Sequence, residues 1–336
     1  MTEAISLGEA LIDFISNKNN VRLSESPGFK KALGGAPANV AVGLAKQGVR
    51  TAFIGKVGDD PFGRYIINML KGYKVDTASM ISDKYARTTL AFVSRFSHGQ
   101  NDFTFYRHPG ADMRLNPDEI KESIFKDAKA FHFGSISLIS QPSRDATLKA
   151  IKCAEKHGLI ISYDPNLRLS LWDSSQAAKK GIWLGLKYAD IVKISDQEWE
   201  FITGTKNLSK GSLKLLKKGI KLVIVSLGKR GCYYNNGKES GYVAGYKVKA
   251  IDTTGAGDGF TAAVLAEIIR SRTRGLRDIN LKGMLQFANA AGAIATTNVG
   301  AAESLPTQGM IRKFINGRNL SFRPDKSGMR NPEIRD

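Results

Sequence analysis

The stretch Ile251-Asp252-Thr253-Thr254-Gly255-Ala256-Gly257-Asp258-Gly259-Phe260 has three glycines in five positions, one carboxylate among them, and a helical pattern after it. Glycines let successive backbone N–H groups converge on one point, and a helix start adds the positive end of its dipole. Together they form an anion hole suited to phosphate. A carboxylate at such a hole repels the ligand that the amides attract. Phosphoryl transfer resolves the conflict: Asp258 takes the proton of an attacking hydroxyl while the amides receive the phosphate charge. Taken alone, the stretch also reads as a glycine-rich loop that ends a strand.

A second glycine-rich element lies far upstream, Gly34-Gly35-Ala36-Pro37-Ala38-Asn39-Val40-Ala41. Pro37 suits a first helical turn, and the small residues permit close approach of a ligand. Asn39 then carries an amide near the helix start, able to donate to and accept from a polyol. A helix that begins with small residues for packing is the other reading of this element.

These residues need a scaffold. Short apolar runs alternate with longer amphipathic ones, the signature of a mostly parallel sheet covered by helices. Strands are expected at Ala4–Gly8, Thr51–Gly55, Ala128–Phe133, Leu159–Asp164, Ile191–Ile194 and Leu222–Leu227. The run Leu222-Val223-Ile224-Val225 is of the kind found in strands buried on both faces. Helices are expected at Ala36–Gln47, Pro61–Lys71, Ser143–His157, Ser174–Tyr188 and after the Gly255–Asp258 loop, where Phe260, Val264 and Ile268 share a face. Leu11–Leu33 and Thr88–His108 break the alternation. They read as a small sheet projecting as a lid or as an ordinary surface hairpin, the second built around Ser97–Asn101. Tyr233–Lys249, with Asn235-Asn236-Gly237, reads as a late hairpin. One α/β domain over residues 1–317 and a loosely packed polar tail over 318–336 are expected.

The chain has 336 residues, 42% of them hydrophobic, enough for a large core. No apolar run reaches the ~18–20 residues needed to span a bilayer. The N-terminus enters an apolar segment with no basic region before it, unlike a signal peptide. The two cysteines, Cys153 and Cys232, have no metal-ligand spacing, so a reduced cytoplasmic setting is expected. The net charge of +19 is spread along the whole length, and Lys214, Lys217, Lys218 and Lys221 fall at helical spacing on a solvated face. Aromatic residues do not interleave with the basic ones, so no nucleic-acid platform is read here.

The two glycine-rich elements, in this order and at this distance, resemble the paired signatures of the ribokinase-like (PfkB) carbohydrate kinases. The likeness runs from about residue 3 to residue 317. It implies a three-layer α/β/α sandwich with a small β-sheet lid, and transfer of the ATP γ-phosphoryl group to a sugar hydroxyl. No Walker A sequence is present. The resemblance makes Asp258 the base and the Gly255, Ala256 and Gly257 amides the anion hole. It assigns Asp13, Gly34, Gly35 and Asn39 to the sugar. Ser226, Gly228 and Gly231, in Ser226-Leu227-Gly228-Lys229-Arg230-Gly231, match its turn beside the phosphates and ribose; Lys193 and Ser195 fall on the same nucleotide side, Ser195 as a departure from the family's Asn-x-x-Glu pattern. Asn289 matches a residue near the adenine ring. Glu198 fits a position that organises Mg²⁺ through water. The family usually has Asn where Ser195 stands, and a hydroxyl can still bond to phosphate or metal-bound water. Asp252, Thr254, Gly300 and Ser304 fall where related kinases bind a monovalent cation such as K⁺; a hydrogen-bonded loop with no ion is the other reading.

Within the family, three features point to the branch of fructokinases and 2-keto-3-deoxygluconate kinases. They are Asp164-Pro165-Asn166-Leu167-Arg168, Trp172, and Phe103–Arg107 leading to Pro109-Gly110-Ala111-Asp112. Arg168 resembles an arginine that reaches the acceptor, and Arg107 is expected to close over it from the lid. Two arginines suit a carboxylate. Fructokinases carry similar arginines for hydroxyls, and Phe105 stands where the keto-acid kinases often have tyrosine, so fructose is the expected acceptor. A homodimer through the lid edges is expected. From a different class, a sugar- or nucleotide-binding regulator without turnover would retain the fold, but the intact Gly-Ala-Gly-Asp speaks against it.

Overall fold

A computed structural model describes residues 1–96, 101–271, 276 and 279–319. In chain order the strands are β1 (Ala4–Leu7), β2 (Leu11–Ser16), β3 (Phe29–Gly34), β4 (Thr51–Gly58), β5 (Met80–Asp83), β6 (Leu90–Arg95) and β7 (Asn101–Tyr106). They continue with β8 (Ala130–Gly134), β9 (Ile160–Asp164), β10 (Ile191–Ser195), β11 (Leu222–Ser226), β12 (Gly231–Asn235) and β13 (Ser240–Ala244). The helices are α1 (Ala36–Lys46), α2 (Pro61–Gly72), α3 (Ser143–Lys156), α4 (Ser175–Leu186) and α5 (Asp196–Thr203). They end with α6 (Leu208–Leu216), α7 (Ala256–Arg270), α8 (Leu281–Ala295), α9 (Ala301–Ser304) and α10 (Gln308–Asn319).

Among the described residues, nine strands form one sheet in the order β13-β12-β11-β10-β9-β8-β1-β4-β5. Pairing is parallel from β11 to β5, and β12 and β13 close one end as an antiparallel hairpin. Alternation along each strand divides the core in two. Val223 and Val225 of β11 pack with Ile151, Ile182, Trp199 and Leu215 of α3 to α6. Leu222 and Ile224 pack on the opposite face with Phe260 and Val264 of α7 and Leu285 of α8. A sheet buried on both faces between two helix layers is the three-layer sandwich.

The helix starts follow local chemistry. Asp60 caps α2, its Oδ1 accepting from Phe62 N at 2.9 Å and Gly63 N at 2.8 Å, with Pro61 in the first turn. Its Oδ2 accepts from Thr88 N at 2.8 Å, which also pins the chain where it enters the second sheet. That sheet has the order β3-β2-β6-β7, with β2 and β6 parallel and both outer pairs antiparallel. It is built from the two segments that break the helix–strand rhythm, and it stands over the carboxyl ends of β1, β8, β9 and β10.

Two details differ from the sequence reading. The edge strand β5 was not expected, because Met80-Ile81-Ser82-Asp83 is too short and half-buried to show a period. Helix α10 runs to Asn319, two residues beyond the expected end of the domain at 317. The turn at 97–100 and the tail at 320–336 lie outside the described residues. No helix among the described residues is long and apolar enough to cross a membrane.

Candidate active site

In a mostly parallel α/β sheet, ligands bind beyond the carboxyl ends of the strands. Here that edge and the lid enclose a cleft lined by Asp13, Gly35, Asn39, Arg168, Lys193, Ser195, Glu198, Thr254, Gly255, Gly257 and Asp258. Residues from β2, α1, β10, α5 and the start of α7 thus meet in one place, although they lie up to 245 positions apart in the chain.

Helix α7 begins at Ala256, with Gly255 as its N-cap and Asp258 in its first turn. The Gly255 and Gly257 amides precede any intrahelical partner, Ala256 N donates to the Thr253 carbonyl at 3.3 Å, and the dipole end points into the cleft. A methyl group at Gly257 would sit 2.9 Å from Lys193 Nζ, so the ammonium lies against this loop. Lys193 Nζ donates to Asp164 Oδ2 at 2.9 Å, and both side chains are buried. Desolvation works against the charged ammonium, but Asp164 and Glu198 outweigh it and hold the lysine above its ordinary value.

Asp258 is buried, and its Oδ2 accepts from Asn39 Nδ2 at 2.8 Å. This bond joins the two glycine-rich elements, 219 positions apart. Burial raises the Asp258 carboxyl to about 6; the Asn39 bond opposes the shift and Asp164 adds to it. Asn39 Oδ1 is buried without a partner. Asp13 on β2 faces the same space, and burial raises it to about 7, against the pull of Arg168. Glycine is needed beneath it, since a methyl group at Gly34 would fall on the Asp13 carboxylate. At Gly35, φ is +98° and a methyl group would fall on the Glu9 carbonyl oxygen. We therefore expect Gly35→Ala to cost about 1–3 kcal/mol in backbone strain alone. Thermal unfolding measures this, and an unchanged Tm would contradict the packing described.

Glu198 caps its own helix: Oε2 accepts from Ser195 N at 3.0 Å and Ser195 Oγ at 2.5 Å, and Oε1 accepts from Leu167 N. The Ser195 hydroxyl is therefore turned toward Glu198. Among the described residues no group of three or more His, Cys, Asp or Glu side chains forms a metal cage. Glu198, on the Lys193 and Ser195 side of the cleft, is a single carboxylate of the kind that suits Mg²⁺ held mostly by water and phosphate oxygens. Below the α7 start, Asp252 Oδ1 accepts from Thr254 N at 2.9 Å and Thr254 Oγ1 at 2.7 Å, and Oδ2 accepts from Gly300 N at 3.1 Å. Ser304 Oγ donates to the Ala301 carbonyl at 2.9 Å. These bonds tie the loop before α7 to Asp252 and to the turn at Gly300. Lid residue Arg95 also reaches Asp252, with Nη1 3.5 Å from its Oδ2.

Five expected site residues, Arg107, Asn289, Ser226, Gly228 and Gly231, are not among those that line the cleft. Arg107 does not line the cleft; Nε donates to Asp112 Oδ2 at 2.8 Å, and the pair is buried. Asn289 donates from Nδ2 to the carbonyls of Val243 at 3.1 Å and Ala244 at 3.2 Å, bracing β13. Ser226 ends β11 opposite Ser195 of β10, with Gly228 and Gly231 at the turn after it, one strand beyond the cleft. The sequence reading gave no role to two carboxylates now found in the cleft. Glu9 follows β1, and its Oε2 is buried without a partner. Asp164 ends β9 and holds Lys193. Both are acids at the carboxyl end of an expected parallel strand, the signal that could have found them.

A family model for pfkB family carbohydrate kinases matches residues 1–308. The chain belongs to the pfkB family of carbohydrate kinases. Fructokinase-2 of Solanum habrochaites is 46% identical over 314 residues, covering 93% of this chain and 96% of that relative. Probable fructokinase-2 of Arabidopsis thaliana is 47% identical over 312 residues, 93% and 95% of the two chains. Among solved structures, a double mutant of Vibrio cholerae O395 fructokinase with fructose, ADP and potassium ion bound is 34% identical, with a TM-score of 0.83 over 94% of this chain and 98% of that one. Fructokinase from Xylella fastidiosa with bound ATP has a TM-score of 0.86 at 28% identity, covering 95% and 100%. The kinase fold is thus shared along nearly the whole chain.

Proposed function

We propose that this ATP-dependent carbohydrate kinase is a fructokinase that transfers the γ-phosphoryl group of ATP to the 6-hydroxyl of D-fructose. The observation that carries the reading is the Asn39–Asp258 bond. It fixes the carboxylate at the mouth of the anion hole, on the side where Asp13 of the lid meets Gly35 and Asn39.

A sugar hydroxyl held beside Asp258 attacks the γ-phosphorus as the bond to the β-phosphate oxygen breaks and ADP leaves. An alcohol is hard to ionise in the ground state, so its proton passes to Asp258 as transfer proceeds. The Gly255, Ala256 and Gly257 amides and the α7 dipole receive charge on the transferred group, with Lys193 beside Gly257. Glu198 is the residue that would hold Mg²⁺ through water, and the bound ion would supply neutralisation of phosphate charge. Asp252, Thr254, Gly300 and Ser304 are the residues to hold a K⁺ ion that steadies the loop. The buried Asn39 Oδ1 and Asp13 are left to bind sugar hydroxyls. The fructokinase names of the plant relatives support the acceptor, as does the bound fructose of the Vibrio structure.

Arg168 sustains a second reading. Its guanidinium lies in the cleft, 5.2 Å from the Phe103 ring, where it could pair with the carboxylate of 2-keto-3-deoxygluconate. Incubation with Mg-ATP and fructose, with the product read by ³¹P NMR, tests the proposal. Fructose 6-phosphate is expected, and the absence of fructose-dependent product would overturn it. We also propose that the lid edges β3 and β7 support a homodimer, since they leave unpaired strand edges.

The pH profile follows from Asp258. Its folded value of about 6 lies above the ordinary aspartate value, and the base form is the active one. We expect kcat/KM to be flat above about pH 7 and to fall roughly tenfold per unit below about pH 6. An acid limb centred near pH 4 would show that burial does not shift the base.

A further inference from the structure

Asp112 and Arg107 form a buried pair that the reaction described above does not use. Arg107 follows β7 at the root of the lid, and Asp112 lies five residues on, past Pro109-Gly110. Besides its 2.8 Å bond to Asp112, Arg107 places Nη2 3.5 Å from the Ile136 carbonyl oxygen. Asp112 Oδ1 accepts from Thr89 Oγ1 at 2.5 Å, so both of its oxygens are engaged. The pair is 3% and 4% exposed at its side chains, and it lies directly behind the cleft wall made by Glu9 and Ile136. Arg107 is therefore one step from the acceptor and already neutralised.

We propose that Asp112 is a positioning residue for acceptor choice: by holding Arg107 as a closed ion pair, it denies the pocket a second free guanidinium and favours a neutral ketose over a sugar acid. The inference rests on the fructokinase reading and names the device behind it. With the pair closed, Arg168 is the one arginine among the cleft-lining residues. Glu9, against the same wall, adds no positive charge; burial raises its carboxyl to about 8, with Asp112 adding to the shift and Arg107 opposing it. A carboxylate entering here exchanges full hydration for a wall without net positive charge, an unfavourable exchange. A sugar hydroxyl loses much less. Releasing Arg107 would change that balance, because a buried guanidinium without its carboxylate takes up another anion by a charge-assisted bond.

The test compares kcat/KM for D-fructose and for 2-keto-3-deoxygluconate in the wild-type protein, Asp112→Asn and Asp112→Asn/Arg107→Gln. In Asp112→Asn the acid-to-fructose ratio is expected to rise on the order of tenfold to a hundredfold, the range of one charge-assisted hydrogen bond, chiefly through a lower KM for the acid. The double variant should return the ratio to within about threefold of wild type. A folded Asp112→Asn with an unchanged ratio would overturn the inference. So would a gain that persists in the double variant, since it would come from a loosened pocket and not from Arg107. Should Asp112→Asn fail to fold, Thr89→Ala carries the test, because it weakens the hold on Asp112 and keeps the charge. A smaller rise of the same sign is then expected, and no rise counts against the proposal. If the wild-type protein prefers another neutral sugar, the fructose reading falls and the ratio is taken against that sugar. If it prefers the acid with the pair intact, the inference falls as well.

Discussion

Asp258→Asn lowers kcat by ~10²–10⁴, the range for removal of a general base, while the KM for ATP changes little. The substitution keeps the shape of the side chain and an oxygen that can accept from Asn39 Nδ2, so the loop at the start of α7 retains its geometry. What is lost is the ability to take up a proton at the mouth of the anion hole. The loss should therefore fall on kcat, and the acid limb near pH 6 should vanish with it. Steady-state kinetics across pH, with Tm as the control for folding, reads both effects. Near-wild-type turnover would remove Asp258 from the mechanism.

Lys193→Met is the second large effect, and it separates stability from chemistry. The lysine and Asp164 are both buried and bonded at 2.9 Å. Removing one partner of a buried pair leaves the other charge uncompensated, at a cost of about 3–5 kcal/mol. Thr261 Oγ1, at 3.5 Å from the same Asp164 oxygen, offers only weak replacement. A fall in Tm on the order of 5–15 °C is expected. Catalysis should suffer too, because the ammonium lies against the anion-hole loop at Gly257. Adding Asp164→Asn to Lys193→Met removes the stranded charge, so much of the stability should return while turnover stays low. Recovery of both together would mean that Lys193 acts through folding alone. A single variant whose Tm stays within about 2 °C of wild type would show that the pair contributes little.

What the sequence shows and what it hides divide along physical lines. Strand β11 is legible because four consecutive apolar residues, three of them β-branched, suit only a strand buried on both faces. The start of α7 is legible because glycines around an acid have few other uses. The edge strand β5 is not, since Met80 to Asp83 covers four residues and only two are apolar. Glu9 and Asp164 look like solvated strand ends until the parallel sheet brings the ends of β1, β9 and β10 to one edge. Arg107 is the clearest case. Its type and position suit a lid residue that closes over the acceptor, and only the turn through Pro109-Gly110 puts Asp112 within 2.8 Å of it. Asn289 is similar: its amide is readable as a ligand for a base, and the structure commits Nδ2 to the backbone of β13. Periodicity reports which face a residue occupies. It carries no information on which polar groups from distant elements meet there.

The most direct test of the account is the rate of ADP release with Mg-ATP against D-fructose, 2-keto-3-deoxygluconate, ribose, glucose and adenosine. A kcat/KM for fructose at least about tenfold above every other acceptor is the predicted result. A preference for 2-keto-3-deoxygluconate would make Arg168 part of a carboxylate clamp and contradict the assignment of fructose.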